Sequence, residues 1–81
     1  MELNKEIVAD IELLSLFELD SAQTGLKIHH DAAPERTDSA KRLFEMKLTT
    51  QVDGGYLTPL GIEAAEHAQA LIKILQGSGP G

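Results

Sequence analysis

The 81-residue sequence has no cysteine and no tryptophan, and its aromatic side chains are Phe17, Phe44 and Tyr56 alone. Without cysteine there are no disulfides, thiolate metal ligands or cysteine nucleophiles, which fits a reducing compartment. Three aromatic rings offer little for stacking nucleobases, and they leave the core to be built from Leu, Ile, Val and Ala. No apolar run approaches the roughly 18 residues of a membrane span. The segment from Glu2 to Lys5 leads straight into an amphipathic pattern, without the charged, apolar and small-residue regions of a secretory signal. We therefore expect a cytoplasmic protein with no membrane partner.

Hydrophobic residues make up 42% and charged residues 25% of the chain, a balance that implies a packed core and excludes the low-hydrophobicity signature of disorder. One domain over residues 1–76 is expected, with the Gly/Ser/Pro-rich residues 77–81 as a flexible tail. A domain of this size hides only about 60–65% of the surface its unfolded chain exposes, so a partner chain would add stability. The formal net charge of -6 repels polyanions, but it is unevenly spread. Residues 1–25 carry one Lys against six acids, and residues 53–81 one Lys against three, whereas residues 26–52 carry five basic residues against four acids. Only the middle of the chain would tolerate an anion.

Apolar residues at helical spacing (Ile7, Ile11, Leu14, flanked by Val8, Leu13 and Phe17) predict a first helix over Lys5–Leu19, with Asn4 as its N-cap and Glu6, Asp10 and Glu18 off the apolar stripe. Asp20 to Gly25 is a polar break with room for a single helical turn. Leu26-Lys27-Ile28-His29 alternates like a short strand with Leu26 and Ile28 inward. Pro34 suits a first helical turn and opens a helix to about Lys47, with Thr37, Ala40, Leu43 and Phe44 on one face. Arg36, Ser39, Lys41 and Arg42 fall largely on the other, exposed face.

The most informative stretch is Leu48 to Thr58. Asp53-Gly54 between β-prone runs is a hairpin signal, because glycine supplies the positive φ of a type I′ turn. That turn pairs Thr50 with Leu57 and Gln51 with Tyr56, placing Leu48, Thr50, Val52 and Leu57 on the core side. A Gly54-Gly55 turn shifts the pairing by one on each arm. Thr58-Pro59 then caps and opens a last helix whose stripe is Leu60, Ala64, Ala68, Leu71, Ile72 and Leu75.

Helix, short strand, helix, hairpin, helix is the order of a winged-helix domain, so the fold class expected is α+β: three main helices with a small antiparallel sheet. The run Arg42-Leu43-Phe44-Glu45-Met46-Lys47-Leu48, followed by Asp53-Gly54-Gly55-Tyr56-Leu57-Thr58-Pro59-Leu60-Gly61, resembles the junction between recognition helix and wing in bacterial winged-helix regulators. In those proteins the C-terminal helix often dimerises. The whole chain, including Phe17 to Ser21, His29-His30-Asp31 and Glu63 to Leu71, also looks like a small bacterial family of winged-helix-like proteins, some labelled DNA-binding protein or transcriptional regulator. The resemblance implies duplex DNA as a partner. Yet between Leu26 and Leu48 there is room for one helix, where a helix-turn-helix needs two. The backbone-crossing helix would be lost or reduced to the turn at Asp20 to Gly25.

Candidate chemistry is thin. His29-His30-Asp31 with His67 is a poor metal site, because adjacent imidazoles on a strand point to opposite faces and the spacing matches no zinc pattern. The carboxylates Glu2, Glu6, Asp10, Glu12 and Glu18 read as a solvated helix face. The serines lack a nucleophile elbow, and there is no phosphate loop or dinucleotide fingerprint. We expect no catalytic residue, metal, cofactor or small-molecule substrate. Two binding surfaces are left: a nucleic-acid surface of Arg36, Ser39, Lys41, Arg42 and Lys47 with Gln51 and Tyr56 on the hairpin, and an interaction or dimer surface of Leu71, Ile72 and Leu75.

Overall fold

A computed structural model describes residues 2–20 and 24–77. In chain order these form α1 (Lys5–Leu14), β1 (Leu26–Lys27), α2 (Pro34–Glu45), β2 (Thr49–Gln51), β3 (Gly54–Leu57) and α3 (Pro59–Leu75). The strands make one antiparallel sheet in the order β1-β3-β2. The fold is α+β, and its layout is consistent with a winged-helix-like domain. The turn expected at Asp20 to Gly25 lies in part outside the described residues, as does the expected tail beyond Gly77. A single apolar core joins Leu13, Leu14 and Phe17 to Ile28, Ala40, Leu43, Ala65 and Ala68.

Each helix begins where capping chemistry puts it. The Asn4 side chain accepts a hydrogen bond from the Ile7 N–H at 2.8 Å, Pro34 opens α2, and the Thr58 hydroxyl accepts from the Gly61 N–H at 3.0 Å. The ends differ from expectation. α1 stops at Leu14 instead of Leu19, because the next residues tighten into i→i−3 bonds, Leu16 N–H to Leu13 and Phe17 N–H to Leu14. That tightening turns Phe17 into the core. Gln69 of α3 then donates from Nε2 to the Leu14 and Phe17 carbonyls, at 3.3 and 2.7 Å, and satisfies the helix end from outside.

α2 ends at Glu45, short of Lys47, in a Schellman arrangement. The Lys47 N–H donates to the Phe44 carbonyl and the Leu48 N–H to the Leu43 carbonyl, both at 2.9 Å. Lys47 therefore sits at φ 65°, the position where glycine is preferred. A side chain in this region costs about 1–2 kcal/mol, part of which glycine returns as unfolded-state entropy. Lys47→Gly should therefore raise stability by about 0.5–1 kcal/mol in urea denaturation followed by circular dichroism. An unchanged or lower midpoint would show that the lysine side chain supplies contacts that offset the strain.

The hairpin is where it was expected, but its register differs. Thr49 faces Leu57 and Gln51 faces Gly54, with a bulge between, so the turn residues are Val52 and Asp53. One residue of slip exchanges the faces of a strand: Thr49 is buried, Thr50 and Val52 are exposed, and Leu48 and Leu57 pack at the core edge. The cause is β1. It pairs with the other edge of β3, Lys27 opposite Gly54, and a Cβ on Gly54 would stand 2.2 Å from the Leu26 carbonyl oxygen. Gly54 is needed for that close approach and is drawn into the strand. The Ile28 N–H extends the seam to the Asp53 carbonyl at 2.8 Å, and Ile28 is buried as the alternation predicts.

α3 is rotated relative to the expected stripe. Gly61, Ala65 and Ala68 face the core, whereas Leu60, Leu71 and Leu75 are exposed and Ile72 is half-buried. Small residues face inward because α3 lies directly on the backbone at Leu48, where a Cβ on Gly61 would come within 1.9 Å of the carbonyl oxygen.

Candidate functional site

The expected basic face of α2 is partly dismantled by α1. Asp10, read from the sequence as a solvated carboxylate, lies against α2 with only 14% of its side chain exposed. It accepts from the Ser39 hydroxyl at 2.5 Å, from Arg42 Nη2 at 2.9 Å and from Arg42 Nε at 3.1 Å. Arg42 also donates to the Glu6 carbonyl and approaches the Glu6 carboxylate at 3.6 Å. The hydrogen bond to Asp10 raises the guanidinium pKa further, against a smaller opposing effect of desolvation. Ser39 is 0% exposed and so cannot reach a ligand. Its expected place on the exposed face is corrected: this hydroxyl is buried because it satisfies Asp10.

Of the other proposed nucleic-acid contacts, Arg36 is half-buried and Lys41, Lys47, Gln51 and Tyr56 are exposed. Gln51 and Tyr56 border a shallow depression with Gly25, Leu26 and Lys27. Lys41 borders a different cleft, beside Val52 and Asp53. Lys27, the remaining cation of the middle segment, is held by Asp53 at 2.8 Å at the hairpin tip. That hydrogen bond is also what lowers the Asp53 carboxyl below its usual range.

Among the described residues no three His, Asp or Glu side chains gather as a metal site, and every buried side-chain nitrogen or oxygen has a hydrogen-bond partner. Among the described residues, no helix is long and apolar enough to cross a membrane.

The proposed interaction residues lie on the last turns of α3. Leu71 is 48% and Leu75 75% exposed, and Ile74, which the sequence reading passed over in favour of Ile72, is 73% exposed. Leu60, His67 and Ile74 recur at seven-residue intervals, with Leu71 between the last two, forming an outward stripe about a third of a turn from the core face. That seven-residue spacing was the signal available in the sequence.

Neither a curated protein nor a solved structure matches the chain. The model of DUF5669, a family of unknown function, matches residues 1–76, and the chain belongs to that family.

Proposed function

We propose that this chain is a non-enzymatic protein-interaction module that pairs with a second copy of itself through the outer face of α3. The observation that carries the reading is the cluster of Leu71, Ile74 and Leu75, half to three-quarters exposed where the helix runs past its last fully buried residue, Ala68. Full burial of an aliphatic side chain is worth about 1.5–3 kcal/mol, so a self-complementary stripe has a strong drive to be covered.

Duplex DNA is the less favoured partner. With Ser39 buried and Arg42 held by Asp10, Lys41 and Lys47 are the exposed cations of the α2 region in a chain of net charge -6. Two lysines neutralise too few phosphates for more than weak, salt-sensitive binding.

Sedimentation equilibrium of the purified chain at low and high salt tests the assignment. A dimer that survives high salt and becomes a monomer of unchanged circular dichroism in Leu71→Asp and Leu75→Asp is expected. A monomer at high micromolar concentration, or a dimer indifferent to both substitutions, would sink it. Salt-sensitive anisotropy changes with a labelled mixed-sequence duplex, lost in Lys41→Glu, would return the assignment to DNA.

A further inference from the structure

A cleft of about 290 Å³ opens between β1, the loop that follows it, the hairpin tip and α2. Its floor is apolar: Ile28 and Ala40 are core residues that also line it, and Val52 projects over it from the turn with half of its surface exposed. Its rim is cationic. Lys41, His29 and His30 supply N–H donors, and the one carboxylate present, Asp53, is already engaged by Lys27. The Thr37 hydroxyl is likewise occupied, donating to the Pro34 carbonyl at 3.1 Å. Lys41 makes no ion pair among the described residues.

These features define a ligand. Three unengaged donors on the rim of a half-enclosed cleft, in a protein of net charge -6, select a single anionic group, because binding sites commonly combine apolar walls with a few converging polar groups. An apolar floor selects hydrocarbon attached to it. The cleft volume corresponds to about ten non-hydrogen atoms at the roughly 30 Å³ that a water-sized group occupies in a liquid. We propose that this cleft binds a small free carboxylic acid with a short apolar chain, its carboxylate held by Lys41 and the His29–His30 pair and its chain laid on Ile28, Ala40 and Val52. Such a site is independent of the outer face of α3.

Titration of the isotopically labelled full chain with hexanoate, read by amide NMR, tests this. Saturable shifts centred on Ile28, Lys41 and Val52 are expected. Affinity should fall about tenfold or more in Lys41→Glu, fall also in Val52→Asp, and be unchanged in Lys5→Glu, which lies on α1 away from the cleft. Both test positions are exposed, so the spectra also verify the fold. Four results would each overturn the proposal: no saturable shift; equal binding of hexanol, which removes the anion; equal binding of inorganic phosphate, which removes the chain; or tighter binding of N-acetyl-glycyl-leucine, which makes the occupant a peptide terminus.

Discussion

Gly61→Ala should lower stability by about 3 kcal/mol, even though alanine is the better helix former by about 1 kcal/mol. The added Cβ would stand 1.9 Å from the Leu48 oxygen, 2.9 Å from its carbonyl carbon and 3.2 Å from Leu57 Cδ2. Neither backbone atom can give way cheaply. The Leu48 carbonyl accepts from the Thr58 N–H at 3.0 Å, and the Thr58 hydroxyl donates to the Lys47 carbonyl at 2.7 Å while capping α3. Relief would require α3 to lift from the hairpin, opening the layer that holds Ala65 and Leu57. For a domain of this size each kcal/mol corresponds to about 4–8 °C in the melting temperature, so the loss is large in a thermal melt followed at the helical circular dichroism band. A melt unchanged from wild type would mean that α3 does not sit this close to Leu48.

Asp10→Ala is expected to cost about 2–4 kcal/mol, the usual scale for removing one partner of a desolvated ion pair. The substitution deletes the acceptor of the fully buried Ser39 hydroxyl and the carboxylate of an Arg42 whose side chain is 26% exposed. Ser39→Ala in the Asp10→Ala background should cost little, because the hydroxyl there has already lost its partner. The resulting coupling, about 1 kcal/mol or more in a double-mutant cycle from urea denaturation, separates a hydrogen-bonded network from independent packing losses. Additive single effects would show that Ser39 and Asp10 do not act together.

The parts of this fold legible in the sequence are those governed by local chemistry. Asn4, Pro34 and Thr58-Pro59 marked three helix starts, and glycines between β-prone runs marked a hairpin. Features decided by a distant neighbour were not legible. Gly54 serves both a turn-like backbone and the approach of β1, from a segment 27 residues earlier, and the second role moved the pairing by one residue at Leu57 and by two at Gln51. Ser39 carries no apolar signal, and its burial depends on Asp10, 29 residues away. The inward face of α3 was legible in part: Ala64 and Ala68 were expected on it and pack there, whereas Gly61 and Ala65 were not, because their place is decided by the close approach of the Leu48 backbone. Leu71 and Leu75 were legible as apolar positions of α3, but their spacing set them on one stripe with Ala64 and Ala68, so how far they are exposed was not. The cleft beside Lys41 was not, since its lining comes from a strand, a loop, a turn and a helix.

The hairpin also carries the chain's sole tyrosine. Tyr56 is exposed on β3 and lies close enough to Gly25 that a Cβ there would stand 3.2 Å from its ring. With no tryptophan in the chain, emission excited in the tyrosine band arises from a ring outside the apolar core, at the seam where β1 meets the hairpin. Fluorescence therefore follows the opening of that seam while circular dichroism follows the helices, and a difference between the two unfolding curves would resolve the sheet edge as a separately melting unit.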